Sequence, residues 1–182
     1  MIVRTLALAL AATVLASPAA HGRTAVVVDQ VDPTGDVSIF DGGGTKPSTA
    51  QRRTIDLERF TVTRTEDGVR LAFRIARITG SRNFDQVVTA QLHRPGHPEF
   101  GLDLLANPQH RTGTAYVNGT TACLVAVATL RKNGIVRVDV PQICLPHGAG
   151  VMRVTTYTQE KNGSGPGFSE DTMRVRGQVA LS

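Results

Sequence analysis

The chain reads as an all-β protein, an antiparallel β-sandwich of the jelly-roll or immunoglobulin-like kind with one disulfide, and three observations predict this. From Ala25 onward apolar and polar residues alternate with period two, and no stretch of ten or more residues carries a helical stripe. Short runs of this kind are separated by turns rich in Gly, Pro, Asn and Asp. The only two cysteines, Cys123 and Cys144, lie equally far from Asn133-Gly134, a dipeptide favoured at the tip of a two-residue hairpin.

Ahead of the strands, Arg4 followed by the apolar run Leu6 to Leu15 and the small residues Ser17 and Ala19 have the pattern of a signal peptide over residues 1–19. The run stops at Pro18, short of the ~20 apolar residues that a membrane span requires. Residues 20–182 are then expected to form one β-sandwich domain, large enough to bury a sizeable core. An export signal with two cysteines fits a secreted or extracytoplasmic, oxidising destination with no membrane anchor after cleavage.

The first strand is expected at Ala25 to Val31, and Asp41 to Gln51 reads as an exposed loop. Ile55 to Thr65 and Val69 to Ile78 form the clearest pair, joined at Glu66-Asp67-Gly68. In the second of these Val69, Leu71, Phe73 and Ile75 share one face while Arg70 and Arg74 share the other, so one face meets a core and one meets water. Strands follow at Phe84 to Leu92, Phe100 to Leu105, Thr114 to Val117, Ala122 to Leu130, Ile135 to Val140, Val151 to Thr158 and Thr172 to Leu181, with a flexible loop at Lys161 to Gly167.

If Asn133-Gly134 is the turn, residue numbers that face each other sum to 267, as 123 and 144 do. The cysteines would then form a non-hydrogen-bonded pair with Cα atoms ~4.5 Å apart, within disulfide range. Cys123, Val125, Val127, Val138, Val140 and Cys144 fall on one face, so the bond is expected on the core side. Pro141 would occupy a hydrogen-bonded position without an N–H, which requires a bulge or an edge there.

The formal net charge is +5 and nearly all the positive charge is arginine, with lysine only at 46, 132 and 161. No block of like charge and no nucleic-acid motif accompanies it, so nucleic acid is not an expected partner. No Gly-x-Ser-x-Gly elbow, P-loop or dinucleotide fingerprint is present, and both cysteines are accounted for by a bridge. Asn118-Gly119-Thr120 and Asn162-Gly163-Ser164 match the glycosylation sequon and are equally ordinary turns.

The polar segment Asp29-Gln30-Val31-Asp32-Pro33-Thr34-Gly35-Asp36 precedes Asp56-Leu57-Glu58-Arg59-Phe60-Thr61-Val62 and Gly68 to Ile75. This opening resembles that of secreted bacterial β-sandwiches of the DOMON and family 9 carbohydrate-binding sort, in which an Asp-rich turn precedes a strand of this pattern. The resemblance covers about the first third of residues 20–182 and implies a fold more than a ligand. It also implies a calcium ion near the chain ends, for which Asp29, Asp32, Asp36 and Asp171 would supply hard oxygen ligands. Three carboxylates within eight residues repel one another, and a cation would relieve that repulsion. Asp32-Pro33-Thr34-Gly35-Asp36 is also a good turn in its own right.

His93 and His97 flank Arg94-Pro95-Gly96 and make a second candidate metal pair, for a transition metal such as zinc or copper, although the turn between them does not by itself aim both rings at one point. A cut after Ala20 would begin the chain at His21, similar to the N-terminal histidine ligand of copper monooxygenases that act on polysaccharides; Pro18 at −3 argues against that cut. The function classes are therefore three: an exported module that binds a cell-envelope or extracellular component, a calcium-stabilised carbohydrate-binding-like domain, and a copper- or zinc-dependent secreted enzyme. The absence of Trp, with Tyr116 and Tyr157 the only tyrosines, weighs against sugar stacking. The first class is the reading best supported by the sequence, with no catalytic residues assigned.

Overall fold

The structure is a computed structural model that describes residues 25–41, 46–117, 121–161 and 167–182. The expected signal peptide, His21 and both sequons lie outside the described residues.

The described residues form twelve strands: β1 (Val26–Val31), β2 (Ser38–Ile39), β3 (Leu57–Thr65), β4 (Gly68–Ile75), β5 (Phe84–Arg94), β6 (His97–Leu105), β7 (Thr112–Val117), β8 (Thr121–Leu130), β9 (Ile135–Pro141), β10 (Ala149–Glu160), β11 (Gly167–Arg174) and β12 (Val179–Ala180). They belong to one sheet in the order β1-β3-β4-β9-β8-β7-β6-β5-β10-β11-β2, with β12 paired to β10, and every pairing is antiparallel. The all-β antiparallel expectation holds, but one continuous sheet curled into a half-barrel stands where two facing sheets were expected.

The connections explain the curl. β5 to β9 form an up-and-down meander, with β4 beside β9 and β10 beside β5. On a flat sheet, either step from β4 to β5 or from β9 to β10 would cross five strand spacings, roughly 24 Å. Residues 142–148 must make the second step while Gln142–Cys144 are wound into a 3-10 turn, which limits their reach to roughly 22 Å. The sheet closes that gap by bending. Its concave face holds Phe60, Leu71, Phe73, Phe100, Leu102, Val138 and Met152, all fully buried. The rings of Phe60 and Phe73 lie 5.1 Å apart.

Face assignments from alternation hold along β4: Val69, Leu71, Phe73 and Ile75 are buried while Arg70 and Arg74 are exposed. The hairpin register does not. β8 and β9 pair as Leu130↔Ile135, Val127↔Val138 and Ala126↔Asp139, so facing numbers sum to 265. The reason is that Arg131–Asn133 wind into a 3-10 turn closed by Gly134 at φ 66°, a four-residue connection in place of two. Moving the sum by two preserves parity, so the core side of both strands is unchanged.

Cys123 and Cys144 are bonded, with Cα atoms 6.1 Å apart. Cys123 lies on β8, whereas Cys144 ends the 3-10 turn after β9 and so is not its ladder partner. Pro141 is the last residue of β9, beyond the point at which pairing with β8 stops at Asp139, so its missing N–H interrupts no ladder there.

Two expectations shift locally. Within Asp41 to Gln51, a short helix α1 (Thr49–Arg52) begins at Ser48, whose Oγ accepts from Gln51 N–H while the Gln51 side chain accepts from Ser48 N–H. The final expected strand is broken at Val175–Gln178, where Gly177 turns at φ 76°, and resumes as β12.

Candidate metal centre

Antiparallel order places the start of β3, the end of β4, the β8–β9 turn, the β6–β7 loop and the end of β10 on one rim of the half-barrel. β1 runs antiparallel to β3, so the segment after β1 reaches the same rim. Asp32 continues the ladder by one bond, its N–H donating to Glu58 O at 3.1 Å. The chain then turns through Pro33, Thr34 and Gly35, and Gly35 at φ 87° directs its N–H to Asp56 Oδ2 at 2.8 Å. Asp36 follows in an exposed position.

Across the opening between the two ends of the sheet, Asp171 on β11 points inward and accepts from Leu57 N–H at 2.6 Å. One carboxylate oxygen from each of Asp32, Asp36 and Asp171 lies within 4.8 Å of the others. Asp32 is 8% exposed and Asp171 3%. Asp32 Oδ2 and Asp56 Oδ1 are buried and receive no hydrogen bond. None of the ion pairs seen among the described residues involves these four acids.

Burial, reinforced by the charges of Asp171, Asp36 and Asp56, pushes the Asp32 carboxyl up to about 6. Burial likewise pushes Asp171 up to about 6; the Leu57 N–H opposes this, and the charges of Asp36 and Asp56 add to it. Asp56 is raised by its own burial, against the stabilising N–H of Gly35. These are carboxylates held where water solvates them poorly and no cation among the described residues pairs with them.

The donor set is all carboxylate oxygen, which suits a hard cation such as calcium and not the softer transition metals. Opposite ligands around calcium stand ~4.6–5.2 Å apart, twice the usual Ca–O distance, so oxygens within 4.8 Å of one another are spaced as a single ion would hold them.

The structure brings together Asp32, Asp36 and Asp171 from the expected set and leaves Asp29 out. Asp29 lies on the exposed face of β1, where Arg59 Nε donates to it at 2.6 Å and holds its carboxyl below the usual range. Asp56 lies beside the group, its charge acting on Asp32 and Asp171, without having been expected there. No local spacing announces it, because it accepts from Gly35, 21 positions earlier, and its charge acts on Asp171 on the far end of the sheet.

His93 lies near the end of β5 and His97 opens β6, across a turn at Gly96 with φ 72°. The His97 side chain is outside those described. Tyr116 is 38% exposed on β7 and Tyr157 is half-buried on β10, with β6 and β5 between them. No family model, curated protein or solved structure matches this chain.

Proposed function

We propose that this chain is an exported binding module whose half-barrel is held shut by a calcium ion between Asp32, Asp36 and Asp171. The observation that carries the reading is the buried, unpartnered Asp32 Oδ2 beside two further carboxylates. The cation would join the segment after β1 to β11, the two parts of the sheet that no ladder connects. The disulfide and the signal-like residues 1–19 support an oxidising, extracytoplasmic destination. Among the described residues no helix is long and apolar enough to cross a membrane. Binding through charge and loops suits the chain better than stacking on neutral sugars, since it has no Trp.

Thermal unfolding with calcium and with a chelator tests this. At a hundredfold excess over its dissociation constant, a ligand that binds only the folded state contributes about 2.7 kcal/mol. For a domain of this size that is a rise of roughly 5–10 °C in Tm, and Asp32→Asn should abolish most of it. An unchanged midpoint in the unaltered protein overturns the reading.

A further inference from the structure

We propose that the basic sector of the same rim binds an anionic glycan, a polysaccharide bearing repeated carboxylate or phosphate groups. This names a partner for the exported binding module and rests on that reading, but not on the cation. Two adjoining concavities lie between the end of β4 and the start of β11. The first, about 360 Å³, is lined by Arg82, Arg131 and Lys161 with Ser81, Asn107 and Gln109. The second, about 420 Å³, is lined by Arg74, Arg77, Arg131 and Lys132 with Glu58 and Asn133. Both are in the size range of small-ligand sites, and Arg131 is common to the two.

The acids nearby are already engaged: Glu58 with Arg74 at 2.8 Å, and Asp85 with Lys161. Arg77, Arg82 and Lys132 are exposed and form no ion pair among the described residues. Arg131 is fixed in place, donating from Nε to Ile78 O at 3.1 Å and from one terminal nitrogen to Thr79 O at 2.7 Å. The rest of its N–H fork is left for a ligand, and a guanidinium held this way loses little freedom on engaging a carboxylate or phosphate. Adjoining cationic hollows that share one arginine suit an anion that repeats along a chain. The neutral donors and acceptors of Ser81, Asn107, Gln109 and Asn133 suit hydroxyls between those anions. Among the described residues no aromatic side chain lines either hollow, which disfavours both neutral sugars and the stacked bases of single-stranded nucleic acid.

The test is titration of the full chain at low salt with polygalacturonate, a phosphomannan, dextran and duplex DNA. At least one of the two acidic polymers should bind, dextran should not, and the tighter of the two acidic polymers identifies the anion. The double variant Arg82→Glu/Lys132→Glu should weaken that binding by about tenfold or more, while Arg153→Glu, an equally exposed charge on β10 away from both hollows, should leave it nearly unchanged. Arg131 is kept, because it ties residues 78–79 to the turn. The inference is overturned if neither acidic polymer binds, if DNA binds as tightly as they do, or if Arg153→Glu costs as much as the double variant. The calcium shift in Tm, measured on the same samples, reports on the cation separately: an intact shift without glycan binding removes this inference alone.

Discussion

Burying Asp32 beside Asp36, Asp56 and Asp171 sets like charges against one another where desolvation already disfavours the ionised form. A carboxyl whose folded pKa is about 6, against an unfolded value near ~3.9, binds its proton more tightly folded than unfolded. Its effect is therefore absent below about pH 4, grows as pH rises through the interval, and is fully present as destabilisation above about pH 6. In chelator, unfolding by urea across this range should show Asp32→Asn matching the unaltered protein near pH 4. Near pH 7 the variant should be the more stable of the two, by a difference on the order of 2 kcal/mol. Equal stability at both pH values would mean that Asp32 is not strained by its neighbours. Asp29 shows why the sequence identified this group only in part. It is one position closer in sequence to Asp32 than Asp36 is, but alternation along β1 sends it to the exposed face and to Arg59. Spacing along a chain counts carboxylates; it does not say which of them a turn gathers.

Parity made the strands legible where exact register was not. Alternation located β3, β4, β8 and β9 and their core faces, because a two-step error in the facing sum leaves inside and outside unchanged. It missed the 3-10 turn at Arg131–Asn133 because Asn133-Gly134 is compatible with both connections, and the structure adds a tertiary reason for the longer one. Gly134 packs its backbone against β4, its carbonyl accepting from Ile75 N–H at 2.8 Å, and an added Cβ would stand 2.1 Å from Ile75 O. Helix α1 does carry a sequence signature, since Ser48 and Gln51 have the spacing of a capping box. The β3–β4 pair gives the firmest expectation at this level. Phe73 opposes Phe60 across the ladder and both are fully buried, so Phe73→Ala should lose about 3–5 kcal/mol in denaturant unfolding. A loss below about 1 kcal/mol would mean that the concave face repacks around the cavity.

The half-barrel as a whole is closed by side chains where a full barrel would be closed by a ladder. Gln30 on β1 donates through Nε2 to Arg174 O at 3.1 Å and accepts from Arg176 N–H at 2.8 Å, taking the place of a backbone pair. Arg64 reaches Ser182 O at 3.2 Å, and Ser169 donates to Arg52 O at 2.8 Å. The Asp32–Asp36–Asp171 group lies on this same seam, opposite in rim to the Cys123–Cys144 bond, which secures only β8 to the turn after β9. None of these long-range matches has a sequence signature, since each joins positions over 100 residues apart to atoms the strand pattern treats as unrelated. Regions held by few ladder bonds open at lower free energy than the body of a sheet. Hydrogen exchange should therefore find β1 and β11 exchanging well before β4, β9 and β8 when a chelator is present. Calcium should slow β1, the 32–36 turn and β11 together while leaving the slow amides of β4, β9 and β8 unchanged, because the proposed ion would bridge the seam and touch nothing in the meander. Slowing spread evenly over every strand would mean that calcium acts on global unfolding alone. No slowing at β11 would mean that any ion held by the turn does not reach Asp171, and the half-barrel would then be closed by Gln30 and its companions without a metal.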